Sequence, residues 1–219
     1  MINLRGVTKS MFDPLAGQAE LVLKDVSVSI PRDSRVALLG ANSHALTTVL
    51  HLLAGNEMPD RGYIDAGSMR RSPVINAASS AGCTLSPTLT GLQNIDFFAG
   101  SNGIDPMHLT VLVEGACGFG RNLSLPVRQY TRPMRRALEI ALVMAIPYDC
   151  YFIDRFHEFG GPILWQILHV IRGRGAGLVF TTMYPKRAVD HGRIGAVVSK
   201  GSLHVFPHVS MAIAHNEQS

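Results

Sequence analysis

The chain has 219 residues, of which 47% are hydrophobic and 16% are charged, and its 20 Lys and Arg against 16 Asp and Glu give a formal net charge of +4. The length suffices for a sizeable buried core, and the composition excludes a disordered chain and favours a single globular α/β domain. The small basic excess suits an anionic membrane surface, nucleic acid or an ordinary solvated face, so charge alone identifies no partner.

Cysteine spacing and hydropathy bear on the cellular compartment of the protein and on its association with membranes. Cys83, Cys117 and Cys150 are far apart and odd in number, which fits neither a metal site nor a disulfide framework and favours a reducing cytoplasm. The N-terminal segment MINLRGVTKS has no apolar core of signal-peptide length. The uncharged run from Ser72 to Ile95 is rich in Ser, Thr, Asn, Pro and Gly, so it predicts no spanning helix, and any membrane association is expected to be peripheral.

The chain opens with strand patterns. The alternation in MINLRGV predicts an edge strand, and ELVLKDVSVSI predicts a second strand after the turn cluster DPLAGQ. The continuous apolar run RVALLG is typical of a strand buried in a parallel sheet.

A helix and a further strand follow. Val49, Leu50, Leu52 and Leu53 recur at helical spacing and predict a helix over Thr47–Ala54. The segment MPDRGYI then turns into another strand.

The segment from about 85 to 133 is predicted to be mainly helical. Thr90 is a candidate N-cap for its first helix, and Asp105, followed by Pro106, is the candidate N-cap for the second. The residues expected to pack the first helix are Ile95, Phe97 and Phe98.

The C-terminal half begins with a strongly amphipathic helix, TRPMRRALEIALVMAI. Its buried face is expected to contain Met134, Leu138, Ala141, Leu142 and Ala145. YDCYFID is predicted as a buried strand ending in an acid, GLVFTTM as another core strand, and GAVVSKGSLHVF as a hairpin that turns at Lys200–Gly201. The pattern after Phe206 is weak, so residues 207–219 are predicted to be a C-terminal tail that frays.

Several phrases, in a fixed order, resemble the ATP-binding subunit of an ABC transporter, and more narrowly the subunit that powers export of capsular polysaccharide or O-antigen in Gram-negative bacteria. The phrases are VTKS, VLKDVSVSIPRDSRVALLG, LLAGNEMPDRGYI, LTGLQNIDFFAG, YDCYFID and GAVVSKGSLHVF. Together they span nearly the whole chain, and LTGLQNI points to polysaccharide exporters.

The resemblance implies an α/β fold of the ABC-type P-loop NTPase class, with a parallel core sheet, an N-terminal antiparallel β lobe and a helical lobe. The ABC domain would span 1–206, with the helical insertion at about 85–133. The family's cofactors are ATP and Mg²⁺. Its partners are an integral membrane permease and a second ATP-binding subunit, in a homodimer or heterodimer, and not nucleic acid. The expected location is peripheral, at the cytoplasmic face of the bacterial inner membrane.

The phosphate loop departs from the family pattern G-x-x-x-x-G-K-[ST], in which backbone amides wrap the phosphates and lysine neutralises them. The segment GANSHALTT keeps Gly40 and Thr47, but Ala45 replaces the second glycine and Leu46 replaces the lysine. The preceding family glycine is replaced by Ser43, and side chains at positions 43 to 45 obstruct close backbone approach. Thr47 either offers a hydroxyl to Mg²⁺ or caps the helix. The other vestigial loop positions are Asn42 and Thr48.

Two further nucleotide contacts are altered. The adenine-stacking aromatic falls at Met11, and Phe12 substitutes for it only after a shift of one residue. Asp154 holds the position of the acid that organises Mg²⁺. The glutamate that follows it in the family, which polarises the attacking water, is replaced by Arg155, and arginine is no general base near neutral pH. We expect Arg155 to pair with Asp154 or Glu158, or else to contact an anion from the other subunit.

The family signature, close to L-S-G-G-Q or Y-S-S-G-M, appears as YTRPM. Bulky residues stand there in place of small ones, and proline removes an amide outright. The vestigial signature positions are Thr131, Arg132 and Pro133. The family's glutamine that links nucleotide to the permease falls at Ser86, and its switch histidine falls at Met183. The aspartate of its subunit-contacting loop falls at Gly161. His157 and His191 lie near these two sites in sequence, but neither is at the matching position.

In an ABC dimer, one chain supplies the phosphate loop and the other the signature. Both halves are degenerate here, so no partner completes a site. The sequence therefore predicts a pseudo-ATPase subunit with weak or absent MgATP binding that docks on a permease around 86–100. One alternative is an active ATPase that uses Thr47, Asp154 and Arg132 as unusual ligands. The other is a scaffolding or regulatory protein that keeps the fold without a permease.

Overall fold

The computed structural model describes residues 1–13, 17–76 and 85–218. Cys83 and half of the predicted turn cluster DPLAGQ, residues 14–16, lie outside the described residues. Burial raises the pKa of the Cys117 and Cys150 thiols to about 12, so both stay protonated at neutral pH.

An antiparallel lobe forms the N-terminal part, as the resemblance implies. Within the described residues it contains three strands, β1 (Ile2–Asp13), β2 (Gln18–Ile30) and β4 (Arg61–Asp65), in the order β2-β1-β4. The prediction of β1 as an edge strand is wrong, because β4 pairs with its second edge. The alternation in β1 indicates that one face of the strand is buried; it does not indicate a position at the edge of the sheet.

The core sheet has six strands in the described part of the chain, in the order β5-β6-β7-β3-β8-β9. They are β3 (Arg35–Leu39), β5 (Arg71–Asn76), β6 (Cys150–Asp154), β7 (Gly177–Thr181), β8 (Ile194–Ser199) and β9 (Ser202–Phe206). All neighbours are parallel except β8 and β9, which form the predicted hairpin. Its turn places Lys200 at φ 49° and Gly201 at φ 78°, as a tight two-residue hairpin requires. The pattern missed β5, because Pro73 and polar neighbours interrupt it.

The described residues form seven α-helices: α1 (Ser43–Ala54), α2 (Gly91–Asn102), α3 (Pro106–Cys117), α4 (Arg132–Ala145), α5 (Gly161–Gly173), α6 (Pro185–His191) and α7 (Val209–Asn216). Short 3-10 helices cover Gly120–Ser124, Val127–Gln129 and Phe156–Glu158. None of the helices in the described ranges is long and apolar enough to cross a membrane.

The predicted caps of the helical segment are confirmed. Thr90 caps α2 in a reciprocal capping box with Gln93, and Asp105 caps α3. Ile95 is buried as predicted, but Phe97 is 71% exposed, so the prediction that Phe97 packs the core is wrong. The two residues are separated by two positions and therefore lie on opposite sides of the helix.

The C-terminal segment, predicted as a tail of weak pattern, contains helix α7, which packs against the core sheet. Val209 and Ala212 of α7 are buried, and the Val209 N–H donates to the Arg193 carbonyl over 3.2 Å. Gly195 of β8 allows this close packing, because a side chain there would overlap Ala212. A helix of eight residues carries too short a pattern to be recognised in sequence.

Strand β3 positions the candidate site between two hydrophobic clusters. Ala37 and Leu39 pack into the cluster formed with helices α2 to α5, and Val36 and Leu38 pack into the cluster formed with α1 and the antiparallel lobe. Because both faces of β3 are covered, its carboxyl end is fixed in place.

Candidate functional site

The loop after β3 turns directly into α1. Gly40 is buried there, and a Cβ at this position would lie 2.7 Å from the Val198 carbonyl oxygen. Only glycine therefore fits. Helix α1 begins at Ser43, four residues before the predicted start at Thr47. The alternative that Thr47 caps the helix is wrong, since the N-cap is Asn42.

The backbone amides of this loop are bonded within the chain. Asn42 Oδ1 accepts the N–H groups of His44 over 2.9 Å and Ala45 over 3.1 Å. The Leu46 N–H donates to the Asn42 carbonyl over 3.1 Å. Asn42 Nδ2 donates to both carboxylate oxygens of Glu20, each over 3.1 Å. A side-chain oxygen therefore takes two of the amides, those of His44 and Ala45, that a phosphate loop offers to its ligand.

Leu46, at the lysine position, is a core residue. Its side chain is 1% exposed and belongs to the cluster shared by α1 and the antiparallel lobe. Ala45 is also buried, at 7% exposure. No positive charge reaches the loop from position 46, and the space of a lysine is filled by apolar packing.

Asp154, at the end of β6, is 1% exposed and surrounded by donors. Thr181 Oγ1 donates to its Oδ1 over 2.7 Å, and Asn76 Nδ2 donates to its Oδ2 over 2.7 Å. Thr47 Oγ1 lies 3.1 Å from both carboxylate oxygens. The structure thus places the Thr47 hydroxyl and the Asp154 carboxylate in contact with each other.

Sequence reasoning missed Asn76 and Thr181. Each ends a parallel strand next to β6, where carboxyl ends meet at one edge of the sheet. The position of Thr181 beside Asp154 could have been predicted in this way, because its strand was predicted. The position of Asn76 could not, because strand β5 was not recognised in the sequence.

Arg155 completes the group. Its guanidinium lies 3.7 Å from Asp154 Oδ2 through Nε and 3.2 Å from Glu158 Oε1 through Nη1, which confirms the predicted pairing. Nη2 donates to Asn76 Oδ1 over 3.3 Å. The Arg155 backbone is left-handed, with φ 47° and ψ 51°, and its N–H donates to Thr181 Oγ1 over 2.7 Å.

The position of the adenine-stacking aromatic carries no exposed ring. Met11 is half-buried and packs against the lobe cluster, with its sulfur 4.0 Å from Thr48 Oγ1. Phe12 is 66% exposed, so the alternative of a ring supplied by Phe12 stays a prediction.

Ser86 and the signature residues bond locally. The Ser86 N–H donates to Asn94 Oδ1 over 2.8 Å, at the start of α2. Thr131 caps α4 and accepts the Met134 N–H over 3.3 Å. Arg132 and Pro133 are exposed in the first turn of α4. The Thr131 hydroxyl is therefore already engaged within its own chain.

A histidine does reach the neighbourhood of the switch position. Met183 is 49% exposed, and His157, from the turn after β6, lies beside it. His157 Nδ1 is 3.5 Å from Thr182 Oγ1, and its ring meets the Tyr184 ring edge-on. These side chains border a cavity of about 210 Å³, which is also lined by Ser43, Leu46, Arg155 and Thr181. Spacing along the sequence gave no sign of this approach.

These residues do not fit a magnesium–triphosphate group. The His44 and Ala45 amides are taken by Asn42 Oδ1, and the lysine position is apolar core. The carboxylate that would hold Mg²⁺ is already bonded and paired with a cation. The arrangement is that of a closed polar cluster at the carboxyl edge of a parallel sheet.

Relatives with known names match the chain over most of its length. The ATP-binding protein BexA of Haemophilus influenzae is 28% identical over 203 residues, which cover 90% of each chain. The polysialic acid transport ATP-binding protein KpsT of Escherichia coli is 30% identical over 162 residues, which cover 73% of this chain and 71% of that protein. The chain belongs to the family of ATP-binding proteins of polysaccharide-export ABC transporters. No family model matches it.

The fold agrees with this family. A solved ATP-binding subunit of an ABC transporter superposes with a TM-score of 0.74 over 98% of this chain and 93% of that chain, at 18% identity. The predicted ABC-type α/β fold, with its parallel core sheet and antiparallel lobe, is confirmed. Within the family scaffold, this chain therefore combines an ABC fold with a site whose polar groups are paired internally.

Proposed function

We propose that this chain is a pseudo-ATPase subunit of a polysaccharide-export ABC transporter. It docks on an integral membrane permease at the cytoplasmic face of the bacterial inner membrane and does not turn over ATP. The observation that carries this proposal is the Asn42 side chain, whose Oδ1 bonds the His44 and Ala45 amides of the phosphate loop. Leu46 and the Asp154–Arg155 pair support it.

Pairing with a second subunit does not restore activity in this proposal. In a homodimer, both sites combine a closed phosphate loop with a signature altered at Arg132 and Pro133. In a heterodimer with an intact relative, each site still contains one altered half. Losing a single preorganised donor costs about 3–4 kcal/mol in the transition state, so several losses remove most catalysis, although such losses are not strictly additive.

A second candidate is an active ATPase with unusual ligands. It is favoured by the retention of Thr47 and Asp154, whose side chains lie 3.1 Å apart near the phosphate loop. A third candidate is a scaffolding or regulatory protein without a permease. Co-purification with a membrane protein distinguishes the pseudo-ATPase subunit from this candidate, because only the subunit binds a permease.

Nucleotide titration tests the proposal directly. We expect isothermal calorimetry with ATP and Mg²⁺ to show no binding in the micromolar range. The physical reason is that no lysine reaches the loop and Asn42 occupies its amides. A low-micromolar dissociation constant that requires Mg²⁺ would contradict the proposal and favour the active ATPase.

Docking on the permease is expected to use α2 and the segment before it, residues 86–100. Phe97 is 71% exposed there, so its replacement by glutamate leaves the core intact. We expect Phe97→Glu and Leu89→Asp to lower recovery with permease-containing membranes by about 30-fold, the loss typical of a buried interface anchor. Sedimentation of membranes from cells that produce both proteins measures this.

Met107→Glu is the matched control, because Met107 is 78% exposed on the neighbouring helix α3 and lies outside the proposed surface. Its membrane recovery should stay at the wild-type level. Docking through residues 86–100 is wrong if Phe97→Glu and Leu89→Asp, both folded, sediment like the wild type.

A further inference from the structure

The buried carboxylate of Asp154 lies beside a positive charge. At 1% exposure, an ionised carboxylate without a cation is strongly unfavourable, even when hydroxyl and amide groups donate to it. In an ABC site the family's cation is Mg²⁺. Here the guanidinium of Arg155 stands 3.7 Å from Asp154 Oδ2 and supplies the charge from within the chain.

Several contacts hold Arg155 in this position. Its left-handed backbone, with φ 47°, is unfavourable for a residue with a long side chain, and the hydrogen bond from its N–H to Thr181 Oγ1 fixes it. Thr181 in turn donates to Asp154. Glu158 holds the far end of the guanidinium at 3.2 Å. Backbone and side chain are thus both directed so that the cation faces the acid.

We propose that Arg155 is a built-in replacement for the divalent cation of this site, which makes the site permanently closed and independent of Mg²⁺. Two groups beside this contact are oxygen ligands of the kind that Mg²⁺ prefers: the Asp154 carboxylate and the Thr47 hydroxyl, which lie 3.1 Å apart. Removing the guanidinium should therefore turn the cluster into a divalent-cation site. The inference rests on the proposed function only in assuming that the native site holds no Mg²⁺.

The experiment measures thermal unfolding with and without MgCl₂, in the absence of nucleotide. Arg155→Gly removes the cation and suits the left-handed backbone. We expect Mg²⁺ at ten times its dissociation constant to raise the Tm of Arg155→Gly by about 3–6 °C. The wild type should shift by less than about 1 °C at the same salt, with NaCl of equal ionic strength as the reference.

Two variants serve as matched controls. Lys200→Gly also removes a positive charge from a left-handed residue, at φ 49°, but on the exposed hairpin turn, so its Tm should not respond to Mg²⁺. Arg155→Lys keeps the charge beside Asp154, and its Tm should stay insensitive to Mg²⁺ as in the wild type.

The results separate this inference from the proposed function. A folded Arg155→Gly protein that ignores Mg²⁺, or a wild type that Mg²⁺ stabilises, overturns the inference. A variant that folds only in the presence of Mg²⁺ supports it, and one that fails to fold with and without Mg²⁺ contradicts it. Nucleotide binding by the wild type would instead count against the pseudo-ATPase proposal, whatever Arg155→Gly does.

Discussion

Leu46→Lys is expected to destabilise the protein by about 2–5 kcal/mol, which lowers Tm by about 4–20 °C for a chain of this size. The substitution restores the lysine of the family motif, but Leu46 is 1% exposed and packs in the cluster between α1 and the antiparallel lobe. A lysine there loses this packing and places an ammonium group in an apolar environment. Its nearest opening is the cavity that Arg155 also lines, where a second positive charge is repelled.

Thermal unfolding of three variants tests this expectation. Leu46→Met preserves volume and apolar character, so it should cost less than about 1.5 kcal/mol. His44→Lys adds the same charge to the exposed first turn of α1, and should change stability by less than about 1 kcal/mol. A Tm for Leu46→Lys equal to that of Leu46→Met would show that the lysine reaches solvent and that the site is more open than its packing indicates.

The altered chemistry of the site was readable from sequence because it depends on residue type at known positions. Leu46, Arg155 and the phrase YTRPM each replace a family residue of different chemistry. The pairing of Arg155 with Asp154 or Glu158 was also predictable, since all three are close along the chain.

The closure of the phosphate loop was not predictable. It depends on Asn42 capping a helix that starts at Ser43, four residues before the predicted start at Thr47. It also depends on Glu20, from a strand of the other sheet, which accepts hydrogen bonds from the Asn42 side-chain amide. Short polar turns carry no hydrophobic period, so the pattern placed the helix start too late. The role of Asn76 was not predictable for a related reason: Pro73 interrupts the strand pattern of β5, so the strand that ends at Asn76 was not recognised.

Two fold errors share one cause. A single segment shows which of its faces is apolar but not what covers it. The alternation of β1 therefore predicts an edge strand, whereas β4, from much later in the chain, pairs with its second edge. Phe97 was assigned to the core because it is apolar, although Ile95 already fills the buried side of α2.

Restoration of ATP turnover is expected to require repair of both halves of the site. Leu46→Lys alone should release phosphate no faster than the wild type, because Asn42 still bonds the loop amides and Arg155 still pairs with Asp154. Even with Arg155→Glu added, the opposite chain would present Arg132 and Pro133 to the γ-phosphate.

The combined variant is Asn42→Gly, Ala45→Gly, Leu46→Lys, Arg132→Ser, Pro133→Gly, Arg155→Glu and Met183→His. It frees the amides, restores the lysine, the glutamate and the switch histidine, and returns small residues to the signature. Since one preorganised donor is worth about 100-fold to 1,000-fold in rate, we expect phosphate release at least about 100-fold above that of Leu46→Lys. The full set is compared as one unit because such residues act together and their separate effects do not add.

The measurement is steady-state phosphate release by the purified, folded proteins. The control adds Asp154→Asn to the combined variant, which removes the carboxylate and keeps the shape of the side chain. Turnover should depend on Mg²⁺ and disappear in that control. Strong release by Leu46→Lys alone would show that the closed loop opens and that Arg155, Arg132 and Pro133 are tolerated. The chain would then be an active ATPase with unusual ligands, because a single restored charge cannot supply a missing general base.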